Sequence, residues 1–309
     1  MRVDTVYDVD PELHDPRARG DGDASLDLDS RGQIVVAAGT WAGVIRSESG
    51  EIVRRLDGVG PGRRTVGLCR FLPGGREVAA FCSGSTAGFH FWDPADGSEV
   101  DRLSSPDAGP IDAASPDGRL ALVRTDPATA AVWSLPERRI VRWLETRGVT
   151  AFAFADEDTL ALGREAADGR SHVVGLVPVG ETKTTLARVA ARSSALAASG
   201  PAALCAAGAD GILRLLRRGE RLEPGQEFAL PDSSEFAGTF AVRNDGAAIA
   251  AFGRELPGWL VRTNDGAVLA FATARAVTEA RFSPDGRRLY AVGENGLLRA
   301  WNVDLEDRR

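Results

Sequence analysis

The chain has 309 residues, with 44 Asp and Glu against 37 Lys and Arg, a formal net charge of −7. That balance disfavours a general attraction to DNA, RNA or anionic membrane. No run of 18 apolar residues exists and the first 20 residues are Asp-rich, so neither a membrane span nor a secretory signal is expected. Lys183 is the only lysine and no Gly-rich loop precedes it, which removes phosphate-cradling and kinase-type lysine motifs.

From the N-terminus, Val3 to Val9 reads as an extended β-branched run, and residues 10 to 24, with Pro11, Pro16, Gly20 and Gly22 among acids, as a loop. A phrase then recurs, plainest in its last copy: Phe282-Ser283-Pro284-Asp285-Gly286, an apolar run to Gly293, and a second run containing Trp301. Its turn falls at Gly32, Gly75, Gly118, Asp158, Pro201, Gly246 and Gly286. Gly and Asp suit a tight hairpin because they accept positive φ or bond their own backbone. A period of about 40 to 45 residues built from short apolar runs and tight turns marks a propeller blade.

Each turn is followed by a run without polar alternation, such as Ile34 to Gly39, Val78 to Cys82 and Ala248 to Gly253. Such strands are covered on both faces, as between neighbouring blades. Third strands follow, as in Gly88 to Trp92 and Thr129 to Trp133, then fourth strands such as Ile52 to Leu56 and Ile140 to Leu144. Six fourth strands serve seven units, so residues 3–9 are expected to complete the last one and leave no free edge. The reading is all-β: one seven-bladed propeller over 1–309, with four-stranded antiparallel blades beginning near 25, 65, 110, 149, 193, 235 and 277. Ala187 to Ser199 has helical propensity, but its register predicts an inner strand from Ser194 to Ala198.

The turns Ser115-Pro116-Asp117-Gly118 and Ser283-Pro284-Asp285-Gly286, with Trp92-Asp93, Trp133-Ser134 and Trp301-Asn302, resemble the WD40 repeat family. The resemblance spans essentially the whole chain as period and pattern, and it implies a seven-bladed, non-catalytic platform for protein partners. No Gly-His pair precedes any first strand. The family's buried Asp-His-Ser-Trp network is therefore not expected, and blade cohesion falls to apolar packing.

Catalytic signatures fail one by one. His14, His90 and His172 show no paired ligand spacing, and Gly84-Ser85-Thr86-Ala87-Gly88 joins two strands where a nucleophile elbow needs a strand-to-helix turn. Gly58 to Gly62 lacks dinucleotide-site spacing. Asp21, Asp23, Asp27 and Asp29 lack the Gly and terminal Glu of a calcium loop, and Asp27 and Asp29 share an alternating face with Ser25, which reads as solvated. Cys69, Cys82 and Cys205 have no metal spacing; Cys69 and Cys82 read as a reduced, buried pair in a cytoplasmic protein. No cofactor is expected.

The candidate site is a loop face. The loops entering the innermost strands carry Asp21, Arg64, Asp107, Arg147, Ala190, Glu235 and Arg275 in turn. Opposite charges there attract weakly when exposed. Arg64, Arg147 and Arg275, with Arg63 and Arg192, would also suit an acidic or phosphorylated partner segment, since guanidinium forks bind carboxylate and phosphate. Hairpins between second and third strands open on the same face and bring Trp41 and Arg254. Tryptophan and arginine are enriched at binding hot spots. Trp143 and Trp259 read as packed between blades. The favoured function is thus a non-catalytic interaction platform or scaffold subunit of a larger assembly. The alternative is a hydrolase or lactonase with its site at the channel mouth, disfavoured because inner strands such as Ala151 to Phe154 offer mainly Ala, Phe and Leu.

Overall fold

Successive short apolar runs joined by tight turns fold as antiparallel strands that ladder outwards from a common axis. The computed structural model describes residues 1–9, 24–39, 41–56, 58, 65–83, 87–104, 111–165, 172–180, 185–189, 193–199, 203–208, 211–218, 222–231, 239–253, 257–273, 277–293 and 296–306. Among these, 28 strands pair into seven four-stranded antiparallel sheets. After β1 (Arg2–Val9), the first sheet is β2 (Ser25–Leu28), β3 (Gln33–Ala38), β4 (Trp41–Arg46) and β5 (Ile52–Arg55). The second is β6 (Thr65–Phe71), β7 (Val78–Ser83), β8 (Gly88–Trp92) and β9 (Glu99–Ser104). The third is β10 (Ile111–Ala114), β11 (Leu120–Asp126), β12 (Thr129–Ser134) and β13 (Arg139–Glu145).

The fourth comprises β14 (Val149–Phe154), β15 (Thr159–Glu165), β16 (His172–Pro178) and β17 (Thr185–Val189). The fifth comprises β18 (Ser193–Ser199), β19 (Ala203–Gly208), β20 (Ile212–Arg218) and β21 (Leu222–Ala229). In the sixth are β22 (Thr239–Val242), β23 (Ala248–Phe252), β24 (Gly258–Arg262) and β25 (Val268–Phe271). The last joins β26 (Val277–Phe282), β27 (Arg288–Gly293) and β28 (Leu298–Asp304) to β1. The innermost strands touch in the order β2, β6, β10, β14, β18, β22, β26 and back to β2, which makes the architecture a propeller. Within Ala187 to Ser199 the described residues are strand, the end of β17 and all of β18, because tertiary pairing overrides helix propensity.

Burial on both faces follows from this stacking. Ile34 and Val36 of β3 pack with Tyr290 and Val292 of the last sheet, whereas Val35 and Ala37 pack with Val66, Cys69 and Phe71 of the second. Successive side chains of one strand thus feed two different interfaces, so neither face can be polar. Cys69 and Cys82 are both buried, but Cys69 stands opposite Ala80 and Cys82 opposite Val66, so they are not cross-strand partners.

The inner hairpin turns are built as the repeat implies. Gly32, Gly75, Gly118, Gly246 and Gly286 all have φ between +61° and +77°. The carboxylates of Asp117, Asp245 and Asp285 each accept the backbone N–H two residues on, at 3.0, 3.0 and 3.1 Å. Gly118 is constrained twice, because a methyl group there would also overlap the Phe71 carbonyl oxygen of the neighbouring sheet.

The beginning of the chain completes its end. β1 runs antiparallel to β28 from Arg2 opposite Asp304 to Val9 opposite Leu298, with a bulge between Thr5 and Tyr7. Met1 and Val3 pack towards the sixth sheet and Val6 and Tyr7 towards the first, so this strand seals both interfaces of the closing sheet.

Candidate functional site

The charged residues converge where β26, β2 and β6 line the axis. An innermost strand has one edge without a strand partner, whose N–H and C=O groups need another source of hydrogen bonds. Here side chains from the neighbouring sheets supply it. The Thr278 hydroxyl donates to the Ala24 carbonyl at 2.7 Å, and the Glu279 carboxylate accepts Leu26 N–H at 3.0 Å. One sheet further, Ser25 Oγ accepts Cys69 N–H at 3.0 Å and the Asp27 carboxylate accepts Phe71 N–H at 2.8 Å. Arg70 reaches back, donating to the Leu26 carbonyl at 3.0 Å and to Glu279 Oε1 at 2.5 Å. Arg281 lies between the two acids, 3.4 Å from Glu279 and 3.5 Å from Asp27.

This overturns two expectations from the sequence. Ser25, Asp27 and Asp29 are 4, 6 and 7% exposed, so the alternating acidic face is buried rather than solvated. Asp29 is consumed by its own turn, accepting from Arg31 and Gln33 N–H at 2.9 and 2.8 Å. Nor are all inner strands apolar. Two residues before each inner turn stand Asp27, Arg70 and Arg281 on one side of the ring, and Ala113, Ala153 and Ala241 elsewhere. That column was the signal available in the repeat.

Burial pushes the Asp27 carboxyl above the usual carboxylate range, against the pull of Arg281, Arg70 and the Phe71 N–H. Burial acts on Glu279 in the same direction, but Arg70 and then Arg281 outweigh it and hold this acid below its ordinary value. Burial works against the charge of Arg70, yet Glu279 and Asp27 hold its pKa above the ordinary value. The Cys69 thiol is pushed up to about 12, chiefly by burial, so it stays protonated and non-nucleophilic at neutral pH. Two cations face two acids, and the acids also hold backbone N–H groups. The arrangement ties three sheets together and leaves no free acid–base pair.

Other polar groups are held between sheets in the same manner. His90 is buried with Nδ1 2.7 Å from Glu99, a satisfied core histidine. The side chain of His172 and all of His14 lie outside what is described. Arg138 is the one non-glycine at positive φ among the described residues, at 54°. Its guanidinium pairs with Glu77 at 3.1 Å and Asp101 at 3.0 Å and covers the Phe91 ring at 4.5 Å, joining the second and third sheets. Arg124 pairs with Asp112 and lies 5.3 Å from the Phe152 ring centre of the fourth sheet. Among the described residues no group of three His, Cys, Asp or Glu is placed to hold a metal, and no helix is long and apolar enough to cross a membrane.

On the loop face, Trp41 requires correction. It is 2% exposed and packs with Leu26, Ile45, Tyr290 and Val292. Its ring lies along the sheet over Gly43, where any Cβ would collide with the indole. A glycine two positions on, facing the same way, is what opens the groove, and that spacing is visible in the sequence. Arg147 is exposed at the β13–β14 turn, where Val149 N–H bonds the Thr146 carbonyl at 2.9 Å and Gly148 takes φ +72°. Arg63, Arg64, Arg192, Arg254 and Arg275 lie outside the described residues, as do Asp21, Asp107, Ala190 and Glu235.

The inversion is completed at Trp143, expected between blades but 58% exposed on the outer strand β13, while Trp259 is packed at 2%. Trp143 stands opposite Ala131 near the end of β13, beyond the reach of the adjoining sheet's core.

Fold and site together define an all-β propeller of four-stranded antiparallel blades whose channel-lining charges bind one another. The chain is similar to the β-propeller domain of Cps50 (Swd1) from Myceliophteria thermophila, at 12% identity and a TM-score of 0.74, over 98% of this chain and 100% of that one. At that identity the likeness speaks to the fold alone. No family model matches the chain, and no curated protein matches it.

Proposed function

We propose that this chain is a WD40-type propeller serving as a non-catalytic platform, which binds a protein partner through the face where the loops entering the innermost strands cluster. The observation that carries this reading is the contrast between two sets of arginines. Arg70 and Arg281 are consumed in the channel, whereas Arg147 is exposed at a loop tip and forms no ion pair with another described residue.

Arg64 and Arg275 hold the corresponding loop positions in the sequence period, Arg63 and Arg192 lie beside such positions, and Arg254 belongs to a hairpin of that face. Together they would present forks to an acidic or phosphorylated segment. The mutually paired channel charges and the protonated thiol support a platform over a channel-mouth hydrolase. We place the protein in the cytoplasm, as a subunit of a larger assembly.

Capture of partners from the native cell, identified by mass spectrometry, tests the reading. Arg147→Glu combined with Arg64→Glu should abolish capture at unchanged melting temperature. Equal capture by variant and parent would exclude this face.

A further inference from the structure

We infer that Arg281 is an anion site gated by a proton: one small free oxyanion binds its guanidinium at the channel once the Asp27 carboxyl is protonated. This site is separate from the loop face and does not depend on it.

The two arginines of the channel cluster are held differently. The Arg70 side chain is 4% exposed, and its guanidinium meets the Cys69 carbonyl at 2.7 Å, the Leu26 carbonyl at 3.0 Å and Glu279 at 2.5 Å. The Arg281 side chain is 26% exposed and comes no nearer than 3.4 Å to Glu279 and 3.5 Å to Asp27. Charge-assisted bonds close to about 2.7–2.9 Å, so these contacts attract without saturating the fork. Arg281 bonds no other described residue. Because β26 is an innermost strand, solvent reaches the fork from the axis.

Asp27 decides whether that fork carries an unbalanced charge. Its Oδ2 accepts the Phe71 N–H at 2.8 Å, which leaves Oδ1, 3.5 Å from Arg281 Nη1, as the oxygen able to take a proton. A neutral carboxyl keeps the Phe71 bond and gives up its attraction for Arg281. The charged groups acting on this carboxyl are Arg281 and Glu279 of β26 and Arg70 of β6. Cys69 of β6 is a protonated thiol, and Asp29, two residues on, is held by Arg31.

Two acids and two cations cancel while both acids are ionised. Burial raises the Asp27 pKa, whereas Glu279 stays ionised on Arg70 and the Leu26 N–H. With Asp27 protonated, Arg70, Arg281 and Glu279 leave one positive charge, and it falls on the arginine that solvent reaches. A positive charge in a low-dielectric wall favours a counter-ion, and a guanidinium fork takes an oxyanion bidentately. A cation meets the same excess charge and is excluded. Because the folded pKa of Asp27 is raised, the proton is gained as pH falls through that value, so the anion binds on the acidic side and is released towards higher pH.

Sodium sulfate is the probe, since its own charge does not change over this range. Calorimetric titration in two buffers of different protonation enthalpy counts the protons. Above the Asp27 value the parent should take up a proton with each sulfate and bind about tenfold tighter for each pH unit of acidification. Asp27→Asn should bind sulfate at neutral pH without proton uptake. Arg281→Gln should weaken binding by about tenfold or more at mildly acidic pH. Arg281→Lys, which keeps the charge and loses the fork, should bind more weakly than the parent yet still take up the proton. Melting curves check that each variant is folded, and the Lys variant decides if the Gln variant is not. Equal binding by parent and Arg281 variants overturns the proposal, as does an affinity in the parent that ignores pH, or no binding at about 100 mM sulfate on the acidic side.

Discussion

Arg70 and Glu279, 209 residues apart in sequence, meet at 2.5 Å across the innermost strand of the first sheet, which lies between theirs. Each is the other's chief electrostatic partner, and each also bonds the Leu26 backbone. Removing one member should strand a buried charge. Arg70→Met or Glu279→Gln alone is expected to cost about 3–5 kcal/mol, while Arg70→Met/Glu279→Leu should cost much less than the sum. A double-mutant cycle by urea denaturation measures this, and additive losses would show the pair to be uncoupled.

Stability against pH separates the two acids. Because the folded pKa of Asp27 is raised, its ionisation opposes folding, and stability rises as pH falls from neutral through that value. Because the folded pKa of Glu279 is lowered, its contribution is complete above the unfolded value of about 4.3 and is lost as pH falls through the folded one. Stability should pass through a maximum on the mildly acidic side. Asp27→Asn should abolish the rising limb and spare the falling one, as read by melting temperature across pH.

Closure is locked a second time at larger radius. The Ser47 carbonyl of the first sheet accepts the Tyr7 hydroxyl at 2.9 Å and Arg288 Nη1 at 2.7 Å, with the Tyr290 hydroxyl at 3.4 Å. Burial drives the Tyr7 phenol upward, so it remains a donor at all ordinary pH. Tyr7→Phe should cost about 1 kcal/mol. Removing residues 1–9 should expose β28 and lower the melting temperature by about 10 °C or more. An unaltered melting curve for the truncated chain would refute the latch.

Arg138 spends backbone strain on a bridge. The left-handed conformation costs about 1 kcal/mol for a residue with a side chain, and its contacts with Glu77, Asp101 and Phe91 offset it. Arg138→Ala keeps the strain and loses the bridge, so it should destabilise by about 1–3 kcal/mol. Arg138→Gly should recover about 1 kcal/mol of that loss, which chemical denaturation of the two variants compares.

Trp41 and Trp143 exchange the roles their positions suggest. Trp41→Ala should cost about 3–5 kcal/mol by leaving a cavity between the first and last sheets, whereas Trp143→Ala should leave stability within about 0.5 kcal/mol. Melting of both variants distinguishes core from surface directly.

The repeat was legible because its causes are local. Tight turns need Gly or Asp within four residues, as at Ser115 to Gly118, and strands covered on both faces need unbroken apolar runs, as at Ile34 to Ala38. Strand existence, antiparallel order and the pairing of β1 with β28 follow from those short-range rules and from the need to leave no edge open. The fate of individual side chains does not. Asp27 looks solvated in its own strand, and only the backbone of β6, 44 residues on, makes it a buried acceptor. Trp41 is seated by residues 24 to 300, and Trp143 is exposed because nothing described in the second sheet reaches it. The chain's own residues therefore determine the strands and their order. Which charges meet, and which rings see water, is decided by the register of neighbouring sheets, because burial and Coulomb energy act between surfaces that are distant in sequence and adjacent only once the ring has closed.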